Sequence, residues 1–386
     1  MSHCVKHETM VSFRGLLSRY RRLLVAALFF CIALLTFLVY GSHHVKAPRD
    51  AVADARFAAA IKGGASYKCT GCLPSFRRYE PSTLESRWAV SARSHAHDLC
   101  ETIKSEAPLW QRWLDVAAAA YAGTALPPVS VADASIWSTM TVSLGGIETI
   151  VRLEPLAGFL RDPRETCNDH GLTPVIARYP DSKQHILLDP IFYHKIAAAL
   201  TAPTARTHDG TRAPRALLFD LGSTRWQSAP FATGLTGLVW LVDAYARLGV
   251  NFDGIYAWEA VGKPARDYFN DMPVEIASRT HFYNLPVSDV GGEIDDVLAV
   301  IKTVALPGDF VVVKLDIDAV HLEERIALRL LEEEVSELVG DLYFEHHVDQ
   351  DVMRGWWGPI DLRDLYDSMA LFSALRKRGI RAHSWP

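Results

Sequence analysis

Apolar and polar positions divide this chain into stretches of different texture. Residues 23–40, LLVAALFFCIALLTFLVY, carry no charged side chain, and as a helix these 18 residues would extend about 27 Å, enough to cross most of a bilayer. Residues 82–122 read as helical, with Trp88, Trp110 and Trp113 packing against a core rather than lining a ligand box. Residues 129–153 mix β-branched side chains with Gly145-Gly146, which predicts strands joined by a hairpin. From Arg215 onward, short apolar runs alternate with longer helical stretches, the pattern of an α/β protein with a doubly wound sheet.

Within that last region the runs end on chemistry. Ala216-Leu217-Leu218-Phe219 leads into Asp220-Leu221-Gly222-Ser223, and a helical stretch follows to Leu248. Residues 252–258 form a second run that ends at Glu259. His281-Phe282-Tyr283-Asn284 precedes Pro286-Val287-Ser288-Asp289, and DFVVVKLDID, 309–318, delivers Asp316 and Asp318. Residues 341–347 then close on Glu345-His346-His347, and 379–383 supply a late strand. Four consecutive apolar residues, Phe310 to Val313, read as an interior strand of a parallel sheet. Ligands of open α/β sheets bind beyond the carboxyl ends of such strands, so Asp316 and Asp318 are candidates for chemistry. The structural alternative is that one of them caps a helix starting near His321.

Charge sets the expected topology. Lys6, Arg14, Arg19, Arg21 and Arg22 precede the uncharged segment, whereas Lys46 and Arg49 follow it and are offset by Asp50. The positive-inside rule then predicts a single-pass type II membrane protein, with the bilayer as a partner through 23–40 and the bulk of the chain in the lumen of the Golgi or endoplasmic reticulum. A cleaved signal peptide ending near Gly41 is the competing reading. The expected divisions are a cytoplasmic tail (1–22), the transmembrane helix (23–40), a stem (41–65), a mixed α+β region (66–205) and, after a linker at 206–214, a catalytic domain (215–386).

The 386 residues, 49% hydrophobic and 22% charged with a formal net charge of -5, suit a folded protein with a substantial core and give no basic excess that would point to nucleic acid. Cys4 and Cys31 fall in the tail and the span. Cys69, Cys72, Cys100 and Cys167 lie beyond, and an even number in an oxidising lumen suggests two disulfides in any of three pairings. Cys69-Thr-Gly-Cys72 could equally be a redox pair or half a zinc site, but no second such motif follows at zinc-finger spacing. There is no Asn-x-Ser/Thr sequon.

Glu345-His346-His347 is a second candidate for catalysis. Successive strand residues face opposite sides, so at most one histidine reaches a cleft, with Glu345 on neither side or the other. Histidine beside a carboxylate can act as a general base near neutral pH.

The ordered set FDLGS, YAWE, NLPVSD, VVKLDID and LYFEHH resembles the FkbM-type S-adenosylmethionine-dependent methyltransferases over about 215–348. The resemblance implies a Rossmann-like doubly wound sheet, here preceded by a transmembrane helix and a mixed α+β N-terminal region. It implies S-adenosylmethionine as cofactor and O-methylation of a glycan, lipid or small-molecule hydroxyl. Asp220 and Gly222 match the first-strand motif near the methionine portion, and Glu259 matches the acid that accepts from the ribose hydroxyls. Asn284 and Ser288, with Asp289 as a neighbour, match the segment near adenine. Asp316 matches the aspartate near the methyl-donor and acceptor region, and methyl transfer to oxygen makes His346 or His347 a candidate base. The chain departs from the pattern in two places: 222–227 lacks a second close glycine, and Asp318-Ala319 stands where glutamate-glycine is usual.

Two other functions fit the same residues. A type II Golgi glycosyltransferase would use Asp316 and Asp318 as a DxD motif holding manganese or magnesium on a nucleotide sugar. A catalytically silent Rossmann-like domain would serve only for binding.

Overall fold

The computed structural model describes residues 51–62, 74–92, 105–124, 126, 134–144, 146–157, 160, 183, 185–202, 210, 212–226, 237–290, 294–332, 334–349, 360 and 363–385. Residues 50–386 cluster as one compact unit. In order they form α1 (Ala51–Lys62), β1 (Ser75–Glu80), α2 (Thr83–Ser91), α3 (Ala107–Tyr121), β2 (Ser138–Leu144), β3 (Ile147–Leu153) and α4 (Pro190–Thr201). There follow β4 (Ala216–Leu221), α5 (Gly237–Arg247), β5 (Gly254–Trp258), α6 (Ala265–Phe269), α7 (Val274–Ala277), β6 (Thr280–Tyr283) and α8 (Val297–Val304). The last elements are β7 (Phe310–Leu315), α9 (Val320–Glu332), a 3-10 turn (Glu334–Glu337), β8 (Val339–Phe344), α10 (Leu365–Lys377) and β9 (Arg381–Ser384).

The expected fold class is corrected in one respect. The architecture is α/β with a six-stranded parallel sheet, but no helix of the described residues is long and apolar enough to cross a membrane. Residues 23–40, where that helix was expected, lie outside the described residues, as do all six cysteines. Part of the expected stem, 51–62, is helix α1, and its Phe57 is buried beneath the guanidinium of Arg363, 4.0 Å from the ring centre.

The large sheet runs β6-β5-β4-β7-β8-β9 with every neighbouring pair parallel. In chain order this is 3-2-1-4-5-6, so the strand order reverses between β4 and β7, which is where such folds open a crevice at the carboxyl ends. Its inner strands β5, β4, β7 and β8 are buried throughout because they feed two cores, whereas the edge strand β6 is only half-buried. Val311, Val313 and Leu315 face one layer with α8, α9, α10 and the tryptophans of α2 and α3, while Phe310 and Val312 face the other with α4 and α5. Trp88 and Trp110 meet edge to face at 5.5 Å, and the indole N–H of Trp113 donates to the carbonyl of His185 at 2.9 Å.

The smaller sheet, β1-β2-β3, is antiparallel. The β2-β3 hairpin pairs from Ser138 with Leu153 to Leu144 with Ile147, and Gly146, at φ 84°, supplies the left-handed turn the sequence pattern called for. A buried ion network ties this sheet to α10 and β9. The Arg376 guanidinium, fully buried, donates to the Glu154 carboxylate at 3.0 Å and its carbonyl at 2.9 Å, and to Glu85 at 3.3 Å. His383 reaches the same Glu154 carboxylate at 2.9 Å.

Burial alone would raise the Glu154 pKa, but His383 and Arg376 hold it down at about 2, against an ordinary 4.5. A depressed carboxylate stabilises the fold above its unfolded value, so this contribution is present above pH 4.5 and is lost as pH falls toward 2. The loss amounts to about 3 kcal/mol. In urea denaturation across that range, Glu154→Gln should flatten the acid dependence. At neutral pH it should already cost about 3–5 kcal/mol, because the buried Arg376 guanidinium loses its carboxylate partner.

Candidate active site at the carboxyl ends of the central strands

Asp220 and Lys314 each sit one residue before the end of their strands, β4 and β7, and are directly paired in register. Lys314 is 3% exposed, and its ammonium is held on four sides. It lies 3.3 Å from Asp220 Oδ1 and 3.0 Å from Asp316 Oδ2, and it donates to the carbonyls of Leu221 and Gly222, each at 3.3 Å. Burial works to lower its pKa, but Asp316 and Asp220 outweigh this and raise it, so the lysine is charged. For Asp316 burial works upward, while Lys314, a hydrogen bond with Glu345 and the Trp385 indole N–H at 3.2 Å bring it below the ordinary carboxylate value.

Glycines make this closeness feasible. Gly222, at φ 79°, turns the chain out of β4, and a Cβ there would sit 1.6 Å from the Asp316 carbonyl oxygen. Its glycine requirement therefore comes from the neighbouring strand. Gly237, at the start of α5, leaves room for the Lys314 stem, which a Cβ would meet at 2.9 Å.

The second half of the crevice lies over β5 and β6. The N–H groups of Gly222 and Ser223 both donate to the Trp258 carbonyl, at 3.1 and 2.8 Å, so the turn after β4 abuts the residue before Glu259. Glu259 accepts from the Val261 N–H at 2.8 Å and pairs with Lys263 at 2.5 Å. Asn284 clasps the backbone of Lys263 through both ends of its amide, at 3.2 and 2.7 Å. The Ser288 hydroxyl accepts from the Val290 N–H, and Asp289 is lowered in pKa chiefly by its hydrogen bond from Arg325 at 2.5 Å. Every one of these predicted residues thus has a partner within the fold. Asp220 differs: although 1% exposed, neither of its carboxylate oxygens makes a hydrogen bond, because Lys314 touches it only as an ion.

The acids and histidines after β7 and β8 separate into two groups. Asp316 turns inward to Lys314 and Trp385, whereas Asp318, at φ 54° and with its side chain 88% exposed, turns outward to His347, 3.7 Å away. Their ion-pair partners differ, Lys314 for Asp316 and His347 for Asp318. Beyond the end of β8, Glu345 and His347 lie on one side, 3.9 Å apart. His346 points to the other, its Nδ1 2.9 Å from the Ser368 hydroxyl. Burial, reinforced by His347 and Arg363, lowers the His346 pKa to about 3, which leaves it neutral and a weak base at pH 7. The His347 pKa moves the other way: burial works downward, but the hydrogen bond with Glu323 and the charges of Glu345, Glu323 and Asp318 raise it.

Sequence reasoning passed over Lys314 and Glu323. The signal for the first was a cationic residue inside an otherwise apolar interior strand. Glu323 carried no signal, since its spacing from the His347 it touches, at 3.0 Å, depends on how α9 packs over β8.

Removing the Lys314 charge tests the arrangement. Lys314→Met leaves two acids beside an apolar side chain and should lower the unfolding free energy by about 3–5 kcal/mol. Adding Asp220→Asn should restore part of the loss, with a coupling above about 1 kcal/mol in a denaturant double-mutant cycle. Strict additivity would show that the two residues do not act as a pair.

No protein-family model, no curated protein and no solved structure matches this chain.

Proposed function

We propose that the chain is an S-adenosylmethionine-dependent methyltransferase acting on a hydroxyl oxygen, with the cofactor along the carboxyl ends of β4, β5 and β6. The observation that carries this reading is the pairing of Asp220 and Glu259 at adjacent strand ends on the side of the sheet where the order reverses. Asp220, buried and with no hydrogen bond beyond its ion contact with Lys314, suits the ammonium of the methionine portion. Glu259 suits the ribose hydroxyls, which would take the place that the Lys263 ammonium holds on its carboxylate. The cofactor supplies an electrophilic methyl group, and the acceptor hydroxyl gives up its proton to the carboxylate and imidazole cluster that follows β7 and β8. The crowding of Gly222 by the Asp316 carbonyl fits less well, because it spends that glycine on chain packing. The nucleotide-sugar reading needs Asp316 and Asp318 on one cation and draws less support, since their carboxylates have different partners.

Calorimetry of the full chain with S-adenosylhomocysteine decides the matter. Binding is expected, and Glu259→Ala should weaken it on the order of a hundredfold or more, from the loss of two hydrogen bonds to a charged group at about 1.5–3 kcal/mol each. A wild-type protein that takes up no S-adenosylhomocysteine, or a variant that binds it as tightly as the wild type, would overturn the proposal.

A further inference from the structure

Asp318, Glu345 and His347 are the one group among the described residues in which three ligand-type side chains bring donor atoms within 4.8 Å of one another. We propose that they form a site for a first-row divalent cation, manganese or zinc, at the carboxyl ends of β7 and β8. The site overlaps the cluster that takes the acceptor proton in the methyl-transfer reading, but uses none of the residues that reading assigns to the cofactor, and binding of the ion is tested without it.

Geometry comes first. Oxygen and nitrogen ligands sit about 2.0–2.2 Å from such ions, which places neighbouring donor atoms about 3.0–3.5 Å apart. His347 Nε2 lies 3.7 Å from Asp318 Oδ1 and 3.9 Å from Glu345 Oε2, a few tenths of an ångström beyond that spacing, and the two carboxylates lie within 4.8 Å of each other and must draw together. Asp318 is on an exposed rim and can supply that movement by side-chain rotation.

The imidazole is also oriented as a ligand. Glu323, 1% exposed, is fixed by the Ile317 N–H at 2.7 Å on one oxygen and meets His347 Nδ1 at 3.0 Å with the other. A carboxylate on Nδ1 selects the tautomer that carries its hydrogen there and turns the Nε2 lone pair toward Asp318 and Glu345. That is the outer-shell arrangement typical of metal-bound histidine. A structural ion pair would need one acid beside His347, whereas three surround it.

Charge and ligand type narrow the ion. Lys314 is already balanced by Asp220 and Asp316, which leaves Asp318 and Glu323 around one imidazole, with Glu345 shared between it and Asp316. Two carboxylates with one imidazole favour manganese or zinc over magnesium and calcium, whose sites are built of oxygen. Three protein ligands, with one side open to solvent past Asp318, leave positions for water or for an oxygen of a bound molecule.

The test uses the full chain, stripped with a chelator. Loss of the free-ion resonance in a manganese titration and the heat of a zinc titration should both report one site with a dissociation constant in the micromolar range or below. Asp318→Asn keeps a residue that tolerates the left-handed backbone at 318 but removes the charge, and should weaken binding at least tenfold. Glu323→Gln should weaken it about 10–100-fold. A circular dichroism spectrum matching the wild type confirms that Asp318→Asn is folded; should it not be, a manganese-dependent rise in the wild-type melting temperature that disappears in His347→Gln gives the same answer. Failure of wild-type protein to bind either ion, or Asp318→Asn binding as tightly as wild type, would overturn the site. Because neither titration contains S-adenosylhomocysteine, a negative result with that ligand leaves this proposal standing, and the converse also holds.

Discussion

The arrangement of the strand ends depends on a single buried ammonium. Lys314 interrupts an otherwise apolar interior strand, and its neighbours in register, Asp220 and Tyr343, lie on β4 and β8. Taking an ammonium out of water costs several kcal/mol even after relaxation. Two carboxylates within 3.3 Å and two carbonyls at 3.3 Å offset that cost, each carboxylate attraction being about 5 kcal/mol at the effective dielectric that suits protein sites. The balance holds only while all four oxygen partners stay in place. It therefore constrains the turn after β4 and the path of the chain after β7, and it explains why Gly222 and Gly237 carry no side chain.

With Lys314 satisfied, the remaining acids take different roles. Asp316 stays inside and links the ammonium to Glu345 through a hydrogen bond. Two residues later the backbone turns left-handed at Asp318, which throws that carboxylate out to the rim, where it meets His347 rather than Asp316. Alternation along the chain after β8 then does the sorting: Glu345 and His347 join the rim, and His346 goes beneath it to Ser368.

Much of the fold was legible in the sequence because it follows from local pattern. Continuous apolar runs, each ending in Asp, Glu or Asn, marked the parallel strands, and the β-branched stretch around Gly146 marked the hairpin. The helix at 51–62 was hidden within a polar and alanine-rich stretch that reads as linker, since Phe57 shows its purpose only when Arg363, more than 300 residues later, packs on it. Arg376, Glu154, Glu85 and His383 were illegible for the same reason: buried charges paired across long sequence separations look like surface residues until the partners are known. At the site, the sequence indicated Asp316, Asp318 and His347 individually. It could not indicate that the first two part company, because that depends on one φ angle.

The crest of the sheet thus divides at the point where strand order reverses. On the β4-β5-β6 side the polar groups are acceptors, Asp220 and Glu259, held close to the backbone turns, an environment suited to hydroxyls and an ammonium. On the β7-β8 side they are carboxylates around an imidazole, an environment suited to a cation. Lys314 stands between the two and neutralises the acid from each half that reaches it, Asp220 from one and Asp316 from the other. Without that cation the two halves would form one continuous acidic surface, and its self-repulsion would oppose the close approach of β4 and β7 on which the sheet order rests. The lysine is therefore what keeps two groups of acidic side chains apart at the end of one sheet.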